Sequence, residues 1–171
     1  MELTRVSAED LFAEGVTYAL RGDHLRAEQY LGAAKQRGYD PDSIVVWLVR
    51  VCVASDRYQA ALAHAYRHLR DHPENWWLRF VVANVHDALG ESDRAREELE
   101  LVVRARPSVA SPHYRLGVLY RESLGDISAS APHFRSYLRL DPAGRHAREA
   151  RGYLASPFVG ESSTSPIERL P

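Results

Sequence analysis

The sequence predicts an all-α protein built as a stack of helical hairpins, and three observations carry that expectation. Residues recur at steps of 34: Tyr18, Cys52, His86 and Tyr120 form one column, Gly15, Val49, Ala83 and Gly117 a second, and Ala27, Ala61, Ala95 and Ala129 a third. Within each period the apolar residues fall three and four apart, the spacing of a helix with one buried face. Each period is also broken midway by a turn, at "LRGD", "ASDR", "LGES" and "SLGD", where glycine or aspartate punctuates the chain. A period of this length holds one helix-turn-helix unit, which cannot bury its own apolar face and has to stack on its neighbours.

Each element has its own signal. Ser7 followed by Asp10 is a capping-box start for the first helix. Gly22, Asp56 and Gly90 mark the turns of the first three units, and Leu31, Ala65 and Leu99 follow four residues after the alanine column. Asp40-Pro41 and Ser111-Pro112 are expected to place proline at the first position of a helix. Pro73 and Pro107 close two units, and Pro142 closes the fourth after a one-residue slip. Pro132 lies where the last unit's second helix should already be under way, so that helix is expected to begin near Ser128 or Ser130, with proline in its first turn. The expected organisation is a domain over 1–156, with repeats at about 8–41, 42–75, 76–109 and 110–142 and a capping helix at 143–156. The segment 157–171, "SPFVGESSTSPIERLP" in its setting, lacks periodicity and is expected to be a flexible tail.

These residues resemble the tetratricopeptide repeat (TPR) family, whose pattern over 34 positions is a large residue, Leu-Gly, Tyr, Ala, a large residue and Pro. The fourth unit, from "HYRLGVLYRESLGD" to "HFRSYLRLDP", carries the pattern best, and the first contributes "AEGVTYALRGDHLRAEQYL". The resemblance covers about residues 8–142 and is followed by "AGRHAREARGYLA", which looks like a terminal solvating helix. It implies a right-handed superhelical solenoid of about four repeats plus a C-terminal capping helix. Three positions depart from it: Arg79 and His113 stand where the family has a large apolar residue, and His68 takes a small-residue place.

The resemblance further implies that the first helices of successive units line a concave groove that binds a segment of another protein. Projected onto this chain, that groove comprises Phe12 and Val16, then Val46, Trp47, Arg50 and Val53, then Trp77, Phe80, Asn84 and Asp87, then Tyr114, Arg115, Val118 and Arg121. Adjacent helix residues point about 100° apart, so Trp76 and Trp77 cannot share one buried stripe. Trp76 is expected to pack against neighbouring helices with Arg79, Ala83 and His86, leaving Trp77 to face the groove or to cap an interface between units. Trp47, Arg50, Trp77, Phe80, Asn84, Tyr114, Arg115 and Arg121 are the expected binding residues, because aromatic and arginine side chains dominate interface hot spots. They suit a peptide or helix with apolar side chains and a carboxylate, which guanidinium pairs in a fixed fork. Phe12 and Val16 stand where a C-terminal carboxylate clamp would need lysine and asparagine, so such a clamp is not expected.

Composition narrows the alternatives. A formal net charge of -1 over 171 residues supplies no field to attract nucleic acid or anionic lipid. The longest apolar runs, Ile44–Leu48 and Phe80–Ala83, are too short to span a bilayer, and "MELTRVSAEDLF" does not read as a secretory signal. Cys52 is the single cysteine, which fits a reducing compartment, so a cytoplasmic protein is expected. Arginine dominates the basic residues, with Lys35 the one lysine, a composition suggesting a GC-rich bacterial genome. No phosphate loop, GxSxG, HExxH or CxxC occurs, and no catalytic residues or cofactors are expected. His64, His68 and His72 fall at i, i+4 spacings in "HAYRHLRDH", but no partner carboxylate can be placed from sequence, so no metal site is expected. Arg135, Arg139, Arg145, Arg148 and Arg151 make the C-terminal end locally basic and are expected to be a solvated face. The expected function is a non-enzymatic adaptor, scaffold or chaperone-like protein. Its alternatives are an assembly subunit, a homo-oligomer or secretion-type chaperone included, and a His-dependent metal protein.

Overall fold

In the computed structural model, which describes residues 6–155, the capping box at Ser7 forms as expected, with Asp10 N–H donating to Ser7 Oγ at 3.0 Å. It opens α1 (Ala8–Leu20), which turns at Gly22 into α2 (His24–Gln36). Three further hairpins follow: α3 (Pro41–Ala54) with α4 (Tyr58–Asp71), α5 (Trp76–Ala88) with α6 (Ser92–Ala105), and α7 (Ala110–Val118) with α8 (Ile127–Leu140). The short helix α9 (Ala147–Ala155) then packs on α8. Among the described residues every regular element is a helix and none is a strand.

The midway turns have a common cause. Gly22, Asp56 and Gly90 all lie in the left-handed region, with φ of 78°, 56° and 73°, where a short polar side chain or none is tolerated. The next left-handed residue is Gly125 (φ 69°), one position later than the 34-residue step requires. The extra residue is taken up as a π turn over Leu119–Ser123, closed by Leu124 N–H donating to Leu119 O at 3.0 Å. A π turn holds one more residue than the α-helical turn it replaces, so the slip inferred from Pro142 has a definite location.

That turn resets the frame of the last unit and corrects two expectations. The small buried column of Ala27, Ala61 and Ala95 continues at Ser130, not at Ala129, and Phe134 takes the place of Leu31, Ala65 and Leu99. The second helix of the unit does not start late: it begins at Ile127 under an Asp126 cap and runs through Pro132. Proline is tolerated there because it falls on the exposed face, as does Ser128, whose carbonyl loses its intrahelical donor. A third correction concerns Ser111-Pro112. Helix α7 opens at Ala110, which puts Pro112 third in the helix, still among the first-turn N–H positions that have no intrahelical acceptor.

Burial is distributed along the stack. Four apolar clusters succeed one another: Leu11, Leu31, Ile44 and Leu48; then Val49, Leu62, Leu78 and Val82; then Leu99, Leu116 and Leu119; then Tyr114, Phe134 and Tyr137 with Ala147 and Ala150 of α9. The helix at the C-terminal end is thus part of the core, with Tyr153 stacked on Phe134 at 4.8 Å, and not only a solvating cover. The stretch 157–171, expected to be a flexible tail, lies outside the described residues.

The departures at Arg79 and His113 turn out to be equivalent. Arg79 Nε donates to Pro73 O at 3.2 Å, and His113 Nε2 lies 3.0 Å from Pro107 O, so each satisfies a carbonyl six residues earlier at the proline that closes the preceding unit. Nearby, His133 stacks on Tyr120 at 5.7 Å. Burial, and then the neighbouring His113, lower its pKa below the ordinary 6.5. The fold therefore favours the neutral ring, and stability present above pH 6.5 is lost as the pH falls through the lowered folded value. The urea midpoint is expected to fall between neutral and weakly acidic pH, and to fall less in His133→Gln; equal slopes in the two proteins would contradict this.

Candidate functional site

The first helices α1, α3, α5 and α7 lie side by side, and three depressions run between them. Ala19 and Leu20 of α1 face Trp47, Arg50, Val51 and Ala54 of α3 across the first. The second is lined by Val53 and Tyr58 on one side and by Trp77, Phe80, Val81 and Asn84 on the other. The third joins Phe80 and Asn84 to Ser111, Tyr114 and Arg115 of α7 and to Arg145 and His146 in the turn before α9. Phe80 and Asn84 line both of the last two, which makes the surface from α3 to α7 continuous. Seven of the eight expected binding residues thus line these depressions.

Asn75 decides how the two tryptophans diverge. Its side chain caps α5 by accepting from Leu78 N–H at 3.0 Å, which fixes Trp76 and Trp77 as the first two helical residues. Trp76 turns toward the end of α6, with the Arg106 guanidinium 5.9 Å from its ring centre. Trp77 remains 37% exposed at the mouth of the second depression. Trp47 carries the Arg50 guanidinium 4.8 Å over its ring.

Four of the expected anchors are already engaged. Asn84 Oδ1 accepts from Arg115 Nε at 2.8 Å while its amide donates to Phe80 O at 2.6 Å. Arg115 Nη2 is paired with Asp87 at 2.7 Å. Together these side chains pin α5 to α7, and the Arg115 charge is largely offset by its own acid. Tyr114 is only 6% exposed: its ring lies under His146 at 4.0 Å and its hydroxyl donates to Glu149 at 2.6 Å. Burial and then the Glu149 carboxylate push that hydroxyl's pKa well up. Arg121 is absent from the three depressions. It falls inside the π turn and reaches α9, donating to Tyr153 O at 3.2 Å with its guanidinium 5.0 Å over the Tyr153 ring.

Residues outside the expected set also border the depressions. Leu20, 74% exposed, and Tyr58 extend the apolar surface, whereas Phe12, projected to the groove, stacks on Tyr39 at 4.2 Å. Arg145, expected on a solvated basic face, borders the third depression. Neither Arg50 nor Arg145 has a carboxylate partner among the described residues. Only the path of the chain between α8 and α9 could have revealed Arg145, since nothing in the local sequence distinguishes it from its arginine neighbours.

Residues 53–116 match the family model described as tetratricopeptide repeat. The fold overlays a tetratricopeptide repeat protein from Parabacteroides merdae ATCC 43184 with a TM-score of 0.76 at 22% identity, covering 86% of this chain and 58% of that one. This chain has the tetratricopeptide repeat fold. It spans under two thirds of that TPR relative. A second TPR structure, YrrB, described as having an unusual peptide-binding site, overlays at 0.70 with 19% identity over 85% of this chain and 74% of its own. MamA from Desulfovibrio magneticus RS-1 overlays at 0.69 with 18% identity, over 81% and 78%. At these identities the likeness is one of fold. No match was found among curated proteins. No helix among the described residues is long and apolar enough to cross a membrane.

Proposed function

We propose that this TPR protein is a non-enzymatic adaptor that holds a peptide or helical segment of a partner protein against its first helices. The observation that carries this reading is the continuous surface from α3 to α7, apolar in the second depression, mixed polar and apolar in the third, and offering the exposed Trp77 indole. The two guanidiniums without acid partners, Arg50 and Arg145, stand toward its two ends and favour a segment with apolar side chains between carboxylates. Arg115 and Asn84 act as fixed supports in this reading, because their hydrogen-bonding capacity is spent on each other and on Asp87. The scaffold is rigid before binding, so little ordering accompanies association. That YrrB is described as a peptide-binding TPR protein is consistent with this use of the face.

The test compares partners captured from lysate by the wild type and by Trp77→Ala/Arg50→Glu, followed by titration of the captured segment against each. Both residues are exposed, so the variant should keep its helical content and melting behaviour. Loss of Trp77 is expected to cost about 2 kcal/mol of binding, roughly 30-fold in Kd. An unchanged partner set would defeat the proposal. A persistent oligomer in sedimentation whose contacts cover Trp77 would instead favour an assembly subunit.

A further inference from the structure

We propose that Asp42, His68 and His72 form a binding site for one divalent cation of the zinc class, seated where the start of α3 meets the end of α4. The sequence showed the histidines but no carboxylate to complete them. The hairpin supplies it, because closing α3 against α4 carries Asp42 across to the last turn of α4. One donor atom from each of the three residues lies within 4.8 Å of the others. Two imidazoles with one carboxylate is a ligand set that zinc uses when one position is left open to water or another donor.

The histidine pair is already aligned. His68 and His72 are one helical turn apart, with rings nearly parallel at 15° and centroids 4.5 Å apart, so both present nitrogen to the same side. His68 Nε2 lies 2.6 Å from Asp42 Oδ1, a distance at which a proton is shared between them. A cation would take that position: the Nε2 proton leaves to solvent, and nitrogen and oxygen both become ligands at about 2.0–2.2 Å. Donors around a tetrahedral ion of that size lie about 3.4 Å apart, so the close pair opens by less than 1 Å, about, and the widest closes by roughly 1.4 Å. His72 and Asp42 have side chains 40% and 56% exposed, free enough to make that adjustment.

The surroundings support a cation. Asn75 Nδ2 donates to Asp42 Oδ1 at 3.3 Å, and Glu74 stands 3.8 Å from His72 Nδ1, placed to orient that ring or to add a fourth donor. Asp40, Asp42, Asp71 and Glu74 outnumber Lys35 and Arg67 around the site, and the carbonyl end of α4 adds its partial negative charge. His64, the third histidine of the run, stays out of the cluster and lines the adjoining depression with Ile44 and Leu48. None of the three donors lines the first-helix depressions, so the site is independent of the proposed partner-binding face. Because Asn75 also caps α5, a bound cation would tie the start of α3 and the end of α4 to the start of the next unit.

The test is calorimetric titration of Zn2+ into tag-free, chelator-treated full-length protein, with Mg2+ and Ca2+ as hard-cation controls. One Zn2+ per chain is expected, with a raised melting temperature, no response to the controls, and visible ligand-field absorption when Co2+ replaces Zn2+. Asp42→Asn and His72→Ala should each weaken binding by about tenfold or more, while His64→Ala and His146→Ala leave it unchanged. All four variants are checked for native helical content without metal, and Asp42→Asn, at an exposed position, keeps the comparison valid if a histidine variant fails to fold. Substoichiometric binding, or binding equally strong in Asp42→Asn and His72→Ala, would overturn the proposal.

Discussion

Replacing Phe134 by alanine is expected to destabilise the protein by about 3–5 kcal/mol, the range for deleting a fully buried aromatic side chain. Phe134 is 1% exposed and joins three elements. Its ring edge meets the bare backbone of α7 at Gly117, where an added Cβ would come within 2.8 Å of it. Its face stacks on Tyr153 of α9, and Tyr114 lies tilted against it at 6.2 Å. Removing it therefore opens a cavity at the junction of α7, α8 and α9. Urea unfolding followed by circular dichroism measures the loss, and a variant within about 1 kcal/mol of wild type would contradict this packing. Gly117→Ala, which drives a methyl into the same ring, is expected to cost about 1–3 kcal/mol. Combined with Phe134→Leu it should cost less than the sum, since the two changes share one space.

Glu98→Ala is expected to cost about 2–3 kcal/mol, through stranded polar groups instead of lost volume. Glu98, on α6, accepts from Tyr66 of α4 at 3.1 Å and from Arg79 of α5 at 3.1 Å. The Tyr66 hydroxyl also lies 2.7 Å from Nε2 of His86, a ring only 2% exposed whose Nδ1 lies 2.6 Å from Glu91. Burial and then the Glu98 carboxylate push the Tyr66 pKa up to about 12. Without Glu98 the Arg79 guanidinium loses its carboxylate and keeps only the Pro73 carbonyl, and the Tyr66 hydroxyl is left with His86 alone. Glu98→Gln keeps an acceptor for Tyr66 and should cost clearly less than Glu98→Ala. A double-mutant cycle with Arg79→Met isolates the ion pair, and a coupling indistinguishable from zero would show that the network contributes no stability.

The architecture was legible because its period is enforced at positions where few residues work. Left-handed turns admit Gly22, Asp56 and Gly90, and close helix contacts admit Ala27, Ala61 and Ala95, so the spacing survives in the letters. The fourth unit was harder. Its extra residue is hidden among ordinary helix formers, and only the backbone hydrogen bonds place it between Leu119 and Ser123. Every assignment downstream of it inherits the ambiguity, which is why Ala129 stood in for Ser130 and why Arg121, projected to the groove, has its guanidinium over Tyr153 of α9.

Within the candidate site, residue identity conveyed position but not availability. Trp77 and Phe80 lie where helical geometry puts them, and so do Asn84 and Arg115. The hold of Arg115 on Asn84 and Asp87, and the cover that His146 and Glu149 place on Tyr114, come from contacts about 30 residues apart, beyond the reach of local periodicity. Asp42 belongs with these cases. It lies 26 residues before His68, and no spacing rule links the two until the hairpin is closed.

The first helices also set a ruler. The depressions run between α1, α3, α5 and α7, so under the proposed function a segment laid across all four has a track of three interhelical steps. At about 8–10 Å per step the track is roughly 24–30 Å long. An extended strand would cover it with about seven to nine residues, and a helix lying lengthwise would need about 16–20. Truncating a captured segment from either end should therefore leave affinity unchanged until one of those lengths is reached and reduce it steeply below, and the length at the break distinguishes a strand from a helix.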